Sequence, residues 1–404
     1  MQPLRVIVAG GGAAGFFAAI ACAERNPAAR VTICEATARP LAKVRIAGGG
    51  RCNLTHACFE PDELARHYPR GGRELRGPLH RWGPRDTVAW FEGRGVALKT
   101  EADGRMFPAT DDSATVVDCL LRAARGAGVA LRTRCGIRAA RAGFTVELTS
   151  GETMACDRLL LATGGGAAGG GLEVARALGH AIEPPVPSLF TFHVDDPRLA
   201  GLAGVSAGDV EVSVPAARLR ERGPLLITHW GLSGPAILRL SAWGARPLHD
   251  CGYRFGLVVN WVPSPGPDQV LAGLMRLRTE WPRRQAAARA PFDLPQRLWE
   301  RLTAAAGVAA TTPWTSVSNE ALRALAAQLT QGSFAVAGKS LFKDEFVTCG
   351  GVRLAEVDFQ TMGSRRCPGL YFAGEVLDLD GVTGGFNLQS AWTTGWIAGQ
   401  AMAG

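Results

Sequence analysis

The sequence predicts an α/β fold, a parallel sheet covered by helices, because three short apolar segments each lead into a glycine-rich turn or a carboxylate. Residues 4–9 lead into a glycine cluster and a helix-forming run, residues 157–165 end in Thr-Gly-Gly, and residues 368–375 end in Ala-Gly-Glu. Apolar strands that alternate with helical stretches are typical of a doubly wound sheet. With 404 residues, 47% of them hydrophobic, the chain is long enough for two or three domains.

The first segment carries a phosphate-binding pattern. The β-type run at residues 4–9 is followed by Gly10, Gly12 and Gly15 in the spacing G-x-G-x-x-G, directly before a helix-forming run. Gly10 permits the tight turn, Gly12 lets a pyrophosphate approach the backbone, and Gly15 lets the helix pack closely on the strand. The first N–H groups of the helix then face the phosphate charge. This pattern predicts a dinucleotide-binding fold, with FAD and NAD both open at this point.

A second predicted strand, residues 30–34, ends at Glu35, twenty residues after Gly15. A carboxylate at this point accepts hydrogen bonds from ribose hydroxyls. It would also repel a 2′-phosphate, so NADP is disfavoured here.

Two distant segments favour FAD over NAD. One is the strand that ends in Thr-Gly-Gly at Gly165, and the other is the strand that ends at Glu375. Asp378 and a glycine-rich turn at residues 384–389 follow, and the turn opens a helix that runs to Met402. Two distant strands that return to one nucleotide site are the layout of two-dinucleotide-binding-type flavoproteins. In that layout the last helix points its N-terminus at the flavin pyrimidine ring and stabilises the anionic reduced flavin.

Four further stretches resemble one known family. They are residues 40–55, which contain Gly-Gly-Gly-Arg-Cys-Asn-Leu-Thr, and residues 231–237, 350–352 and 374–378. Together they closely resemble the BaiN/RdsA family of NAD(P)/FAD-dependent oxidoreductases, which includes aminoacetone-oxidase-like flavoproteins, over essentially the whole chain. One departure is the loop at residues 166–171, which is shorter than in similar proteins, so the contacts that the family makes there are in doubt.

The resemblance implies a Rossmann-like FAD-binding domain with an inserted β-rich domain and a small helical domain. The sequence itself agrees with this division into domains. Pro-Pro-Val-Pro at 184–187 marks a break between domains, and residues 210–214 alternate between apolar and polar side chains like a half-buried strand. The predicted domains are 1–187 with 346–404 for the discontinuous FAD-binding domain, 188–267 with 332–345 for the β-rich substrate domain, and 268–331 for the helical domain.

The predicted cofactor contacts follow from these motifs and from the resemblance together. They are Gly10, Gly12, Ala13, Ala14, Gly15, Glu35, Ala36, Lys43, Gly49, Gly50, Arg51, Cys52, Asn53, Leu54, Gly136, Ile137, Thr163, Gly164, Gly165, Gly374, Glu375, Asp378, Gly384, Gly385, Phe386, Asn387 and Leu388. The ten cysteines show no CxxC or Cys/His spacing, so neither a zinc site nor a redox disulfide is expected.

Two residues are candidates for chemistry. When hydride from a reduced flavin adds to a C=C bond a carbanion remains, and the Cys52 thiol could protonate it as a general acid. The alternative is that Cys52 is a small buried residue packed under the flavin. His229 could contact the substrate, although a histidine beside Trp230 in an apolar run is also typical of a hydrogen-bonded structural residue.

The electron donor and the substrate stay open at this stage. No second glycine fingerprint with a strand and an acidic residue is present, so NADPH or NADH must reach the flavin through the substrate opening, or the substrate itself supplies the electrons. The resemblance offers reduction of uracil to dihydrouridine in ribosomal RNA, oxidation of a small amine such as aminoacetone with O₂, and reduction of a steroid-type C=C bond. An FAD-holding interaction protein without activity is a further alternative.

The charge pattern favours RNA among these substrates. The net charge is +8, and the stretches 66–85 and 276–301 are rich in arginine with interleaved Tyr or Trp. Arginines contact phosphates and aromatic rings stack on bases, although both stretches could equally be solvated helix faces with the rings turned inward. Scattered thiols and the lack of an apolar run of about 20 residues predict a cytoplasmic protein without a membrane span. The oligomeric state is not predicted.

Overall fold

The structure, a computed structural model, describes residues 2–166, 170–340 and 347–404. The chain folds as two compact units, Met1–Ser188 with Lys343–Gly404 and Leu189–Phe342. The predicted split of the second unit into a β-rich and a helical part stays a prediction. The predicted boundary at 345/346 and residues 167–169 of the shortened loop at 166–171 lie outside the described residues.

The first unit contains most of the predicted nucleotide-binding elements. Its strands are β1 (Arg5–Ala9), β2 (Arg30–Cys34), β3 (Thr55–His56), β4 (Leu98–Thr100), β5 (Arg105–Pro108), β6 (Ala130–Arg132), β7 (Ile137–Arg141), β8 (Thr145–Leu148), β9 (Thr153–Ala155), β10 (Arg158–Leu161), β11 (Ile182–Ser188), β19 (Val347–Val352), β20 (Val357–Asp358), β21 (Gly363–Ser364) and β22 (Leu370–Phe372). Its helices are α1 (Ala13–Arg25), α2 (Ala42–Ile46), α3 (Pro61–Ala65), α4 (Gly72–Arg81), α5 (Pro84–Glu92), α6 (Ser113–Gly126), α7 (Gly171–Ala177) and α13 (Phe386–Met402).

The main sheet of this unit has the strand order β20-β21-β22-β10-β1-β2-β6. The strands from β22 to β6 are parallel, and β20 and β21 form an antiparallel edge. The carboxyl ends of parallel strands meet at one edge of a sheet, where open α/β folds bind their ligands. The loops after β1, β2, β10 and β22 therefore share one edge, and the predicted α/β fold is confirmed.

Helix α1 packs tightly against helix α13. A Cβ atom on Gly395 would lie 2.6 Å from the carbonyl oxygen of Ala14, and one on Gly399 would lie 2.4 Å from that of Ala18. Both distances are shorter than van der Waals contact, so glycine is the residue that permits this approach. The contact brings the start of the chain and its C-terminal helix into one layer.

The second unit is built around an antiparallel sheet with the order β17-β16-β13-β14-β15-β12-β18. Its strands are β12 (Phe192–His193), β13 (Ser206–Val214), β14 (Leu219–Thr228), β15 (Gly231–Ser233), β16 (Phe255–Asn260), β17 (Gly332–Val336) and β18 (Gly338–Lys339). Its helices are α8 (Pro235–Trp243), α9 (Ala245–Asp250), α10 (Pro267–Glu280), α11 (Gln296–Ala305) and α12 (Asn319–Gln331).

Two of the motifs that carry the resemblance contain glycines that allow neighbouring strands to pack closely. At φ +144° a Cβ on Gly231 would lie 2.3 Å from the carbonyl oxygen of Phe192, so strand β15 needs glycine beside β12. In the first unit a Cβ on Gly350 would lie 2.5 Å from the carbonyl oxygen of Pro184, between β19 and β11. Within the described part of the chain, no helix is long and apolar enough to span a membrane.

A buried ion pair ties the helical region after β3 to the segment before α13. The Arg70 Nε donates to Asp380 at 2.6 Å, a second guanidinium N–H donates to the other carboxylate oxygen, and the Ser188 hydroxyl donates to that oxygen at 2.7 Å. The Asp380 side chain is fully buried and that of Arg70 is 12% exposed. Burial raises the pKa of Asp380, and the Arg70 guanidinium opposes that rise.

Removal of Arg70 should destabilise the protein strongly, because the Asp380 charge would be left buried without its partner. We expect the Arg70→Met variant to lose about 3–5 kcal/mol of unfolding free energy in a urea titration. The Arg66→Met variant is the matched control, since Arg66 pairs with Glu63 on the surface, where both side chains are more than half exposed. Equal urea midpoints for the two variants would contradict the assignment.

Candidate coenzyme site

The loop after β1 has the geometry that its three glycines predict. Gly10 has φ +108°, and a Cβ there would lie 2.3 Å from the carbonyl oxygen of Ala162 at the end of β10. A Cβ on Gly15 would lie 2.0 Å from the carbonyl oxygen of Gly10, which is the close helix–strand contact. Around Gly12, by contrast, no described atom lies within 4 Å of the Cβ position, so the loop presents open space there.

The carboxylate at the end of β2 is held in place by backbone and side-chain donors. One Glu35 oxygen accepts the Gly11 N–H at 2.7 Å, and the other accepts the Thr37 N–H at 2.8 Å and its hydroxyl at 2.7 Å. A carboxylate oxygen has two lone pairs, so acceptor capacity remains for a ribose hydroxyl. A Cβ on Gly136 would lie 2.8 Å from that of Ala36, so Gly136 and the adjoining start of β7 also lie beside this point.

The loops after β10 and β22 meet next to α1. Gly374 has φ +72°, and a Cβ there would lie 3.0 Å from the Ala14 Cβ. The Lys43 Nζ forms an ion pair with Glu375 at 2.5 Å, and the Cβ position of Gly164 lies 3.9 Å from the same carboxylate oxygen. The structure thus brings together residues that are more than 300 positions apart in the chain.

These features fit the pyrophosphate of a dinucleotide. The space at Gly12 lies at the N-terminus of α1, which has no side-chain cap. The Thr163 hydroxyl is buried without a hydrogen-bond partner among the described residues. A buried polar atom without a partner usually indicates a missing water or ligand. The N–H groups of α1 would hold the phosphates of the coenzyme, whereas the Thr163 hydroxyl lies beside Gly171 at the start of α7.

The loop at residues 48–53 turns sharply and joins α13. Gly48, Gly49, Gly50 and Cys52 all have φ between +60° and +86°, and the Cβ positions of Gly49 and Gly50 have no described atom within 4 Å. The Asn53 amide accepts the Gly385 N–H at 3.0 Å and donates to the Thr55 carbonyl at 3.2 Å.

Further hydrogen bonds extend this connection along α13. The Thr55 hydroxyl donates to Gln389 at 2.6 Å, and the Trp392 indole N–H donates to the Leu54 carbonyl at 3.0 Å. The first turn of α13, which contains Phe386 to Leu388, therefore lies beside the glycine-rich loop. The two segments predicted to surround the flavin come together.

Three predicted cofactor contacts have partners within the protein. Arg51 pairs with Glu101 at 2.6 Å and with Asp111 at 3.4 Å, and its guanidinium lies 4.0 Å from the centre of the Phe107 ring. Asp378 accepts the N–H of Gly350 at 3.0 Å. The Asn387 amide exchanges two hydrogen bonds of 2.8 Å with the Gly381 backbone. Their contact with the cofactor stays a prediction, and it would use the remaining polar atoms.

The two catalytic candidates lie in different units. Cys52 is fully buried at a left-handed corner of the loop, and burial raises the pKa of its thiol to about 12. At neutral pH it therefore carries its proton, which a general acid needs and a thiolate nucleophile lacks. His229 is exposed in the turn between β14 and β15 of the second unit. Its contact with substrate stays a prediction.

A histidine pair that the sequence did not single out lies beside the first turn of α13. The His56 and His67 rings stack on Phe386 at 4.7 and 4.3 Å between ring centres, and His56 Nδ1 is buried without a partner among the described residues. Burial lowers the pKa of His56, so its ring is neutral near pH 7. In the sequence, His56 directly follows the motif that ends at Thr55. This position is the signal that could have singled out His56 as a site residue.

A serine, a histidine and a glutamate are connected in the manner of a hydrolase triad. His180 lies 2.9 Å from Glu356 and 2.8 Å from the Ser364 hydroxyl. The Ser364 oxygen, however, already accepts the N–H groups of Arg366 and Cys367 at 3.0 and 2.8 Å, and the His180 side chain is fully buried. The arrangement therefore joins the end of α7 to the β20–β21 edge and is not a hydrolytic centre.

The first arginine-rich stretch, residues 66–85, is largely neutralised by acidic residues. Arg70 pairs with Asp380, while Arg66, Arg76 and Arg85 pair with acidic residues at the start of α3 or just before it, at 3.0, 2.8 and 3.9 Å. The two aromatic rings of this stretch, at positions 68 and 82, are buried. The rings are therefore turned inward here and are not available to stack on bases.

Gly12 and Gly15 should respond differently to an added methyl group. Gly12→Ala places the methyl group in open space with φ −90°, so the apoprotein should keep its melting temperature while FAD binds about tenfold more weakly, a loss of about 1.4 kcal/mol. Gly15→Ala forces a clash and should lower the melting temperature itself. Fluorescence titration with FAD and thermal unfolding of both apoproteins measure this. A Gly12→Ala variant with undiminished FAD affinity would contradict the phosphate assignment.

The chain matches one protein-family model over nearly its whole length. The family model described as "HI0933-like protein Rossmann domain" matches residues 4–401. The chain is 31% identical over 417 residues to a ribosomal RNA dihydrouridine synthase of Escherichia coli, with 99% of this chain and 98% of that protein covered. It is 30% identical over 411 residues to a 3-dehydro-bile acid delta(4,6)-reductase of Clostridium scindens, with 99% of each covered.

A solved structure shows the same fold. The 3-ketosteroid-delta4-(5alpha)-dehydrogenase of Rhodococcus jostii superposes with a TM-score of 0.52 at 16% identity, covering 100% of this chain and 98% of that one. The family match spans nearly the whole chain, and the glycine loop, Glu35 and the Glu375 loop converge as a dinucleotide requires. The chain belongs to the HI0933-like family of Rossmann-fold proteins and is a flavoprotein oxidoreductase.

Proposed function

We propose that the protein uses FAD, with NADPH or NADH as the electron donor, to reduce a C=C bond conjugated to a carbonyl, and that its substrate is uridine in ribosomal RNA. The observation that carries the reaction type is the position of the Cys52 thiol, at the left-handed corner of the loop that joins the coenzyme site to α13. A protonated acid beside a hydride donor is what reduction of a conjugated double bond requires.

The steps balance as a hydride plus a proton. FAD, which the glycine loop after β1 and Glu35 would hold, would supply in its reduced form the hydride that adds to the carbon distal to the carbonyl. The electron pair of the double bond moves onto the carbon next to the carbonyl, and the Cys52 Sγ delivers its proton there. The thiol then regains a proton from solvent. Glycines at positions 49 and 50 leave room for a planar substrate or coenzyme ring against the loop.

RNA as the substrate is supported by the relatives and by charge. A relative of 31% identity is a ribosomal RNA dihydrouridine synthase, and conversion of uridine to dihydrouridine saturates a double bond conjugated to a carbonyl. The net charge of +8 suits a polyanionic partner. With one glycine fingerprint in the chain, the nicotinamide coenzyme would reach the flavin through the substrate opening.

A steroid-type enone is a second candidate, because a relative of 30% identity is a 3-dehydro-bile acid delta(4,6)-reductase. The same chemistry would apply, with the double bond conjugated to a ring ketone. A small apolar substrate gives no use for exposed arginines, so the charge of the chain favours RNA between the two.

An anaerobic stopped-flow experiment tests the proposal. The FAD-loaded protein is first reduced with NADPH or NADH. The reduced protein is then mixed either with ribosomal RNA from a strain that lacks the gene or with a 3-keto-4-ene steroid. In a separate experiment, aminoacetone is added to the oxidised protein. We expect the nicotinamide to bleach the flavin and the RNA to reoxidise it with formation of dihydrouridine. Unchanged dihydrouridine in ribosomal RNA of the deletion strain, measured by mass spectrometry, would refute the RNA substrate. Bleaching by aminoacetone alone would assign an oxidase instead.

The Cys52→Ala variant should separate the two half-reactions. Reduction of the flavin by nicotinamide should be unchanged, whereas the rate of C=C reduction should fall by about 10²–10⁴-fold because the proton donor is gone. Cys119→Ala, which removes another buried thiol, in α6, is the matched control. If both variants reduce the double bond at the wild-type rate, Cys52 is only a packing residue.

A further inference from the structure

We propose that an arginine cluster on the helical part of the second unit is the surface that binds the phosphate backbone of single-stranded RNA. The cluster comprises the exposed Arg276, Arg283, Arg284 and Arg289, and the last two contact the Trp281 ring. The inference rests on the proposed function, since it names the face that would receive the RNA substrate. All four arginines are exposed on α10 or in the segment that follows it.

The ring of Trp281 orders two of these arginines. The guanidinium carbons of Arg284 and Arg289 lie 4.8 and 5.2 Å from the centre of the Trp281 ring. A cation–π contact uses the flat face of the guanidinium. The N–H donors in its plane remain free for two parallel hydrogen bonds to a phosphate. Because the ring already restrains both side chains, less rotamer entropy is lost when a phosphate binds.

The cluster is not neutralised by carboxylates. Across the described residues, none of the four arginines has an acidic side chain within salt-bridge distance, and Glu280 is the one acidic residue between positions 276 and 289. Arg278 lies in the same stretch, but it donates to Asn319 at 2.7 Å and to the Val317 carbonyl, so it serves the fold.

The contrast with residues 66–85 decides which basic stretch is the binding surface. There four of the six arginines pair with carboxylates of residues 60–63 or with the buried Asp380, and the aromatic rings of that stretch are buried. In the second stretch Trp299 is buried as well, with its N–H on the Ala286 carbonyl, whereas Trp281 is part-exposed. By composition alone, the two stretches are equally good candidates for an RNA-binding surface. The ion pairs of their arginines distinguish between them.

The chemistry of the cluster fits RNA in a specific way. Four unpaired guanidinium groups within fourteen residues suit several phosphates in succession, which a small steroid or amine cannot offer. In this arrangement Trp281 is a support for arginines and not a platform for bases. Binding should therefore depend on salt and little on base sequence.

The test uses the full-length, FAD-loaded protein and a fluorescein-labelled single-stranded oligouridine in anisotropy titrations over a range of salt concentrations. The Arg284→Gln/Arg289→Gln variant should bind about tenfold more weakly, and the slope of log K against log salt should fall by about 1.4 for two lost contacts. Arg66→Gln/Arg76→Gln removes the same formal charge from ion-paired positions and should change the affinity by less than about twofold. The Arg276→Gln/Arg283→Gln variant, which disturbs no cation–π contact, should also weaken binding.

The outcomes separate this surface from the reaction. Equal losses in the cluster and control variants, or no loss in either, would overturn the surface. Loss of binding to phosphatidylserine vesicles in the cluster variants, with RNA binding intact, would assign the face to a membrane and overturn it too. If the cluster variants lose RNA binding but the wild type forms no dihydrouridine, the surface stands and the proposed reaction falls. If dihydrouridine forms and the cluster variants keep the wild-type KM for RNA, the reaction stands and the surface falls.

Discussion

The close contact between α1 and α13 is the constraint on which the coenzyme site depends. Gly395 and Gly399 lie against the carbonyl oxygens of Ala14 and Ala18 at distances that no side chain tolerates, and Gly374 lies against the Ala14 side chain. This contact fixes the helix that faces the phosphates relative to the helix that faces the flavin side. The phosphate loop of the first residues and the turn before the last helix are thereby held as one rigid site.

Most polar groups of this site are already oriented by the protein. Glu35 is held by Gly11 and Thr37, and Asn53 by Gly385 and Thr55, so neither side chain has to be ordered when a coenzyme binds. The Thr163 hydroxyl and the Nδ1 atom of His56 are two buried polar atoms without a partner among the described residues. Such preorganisation lowers the entropy lost on binding and keeps donors aimed at a charge before it arrives.

Charge is distributed unevenly between the two units. In the first unit four of the six arginines of residues 66–85 pair with carboxylates of residues 60–63 or with Asp380, so these four contribute mainly to stability and to the local fold. In the second unit the cluster around Trp281 has no such partners among the described residues. Our two proposals therefore concern different units, with Cys52 in the first and the arginine cluster in the second.

The sequence by itself determined the parallel-sheet fold, the tight glycine turn after β1 and the position of Glu35 at the end of β2, because each depends on local spacing. Strands β1 and β2 lie within one residue of their predicted bounds, since apolar runs bounded by glycine or carboxylate are local signals. Strands β10 and β22 end at Leu161 and Phe372, four and three residues before the predicted ends at Gly165 and Glu375. Tertiary structure alone decided that Arg51, Arg70 and Asp378 bond to distant partners, and that His56 stacks on Phe386. These outcomes depend on which carboxylates, backbone groups and rings meet after folding, and pairs separated by up to about 330 residues leave no trace in local sequence.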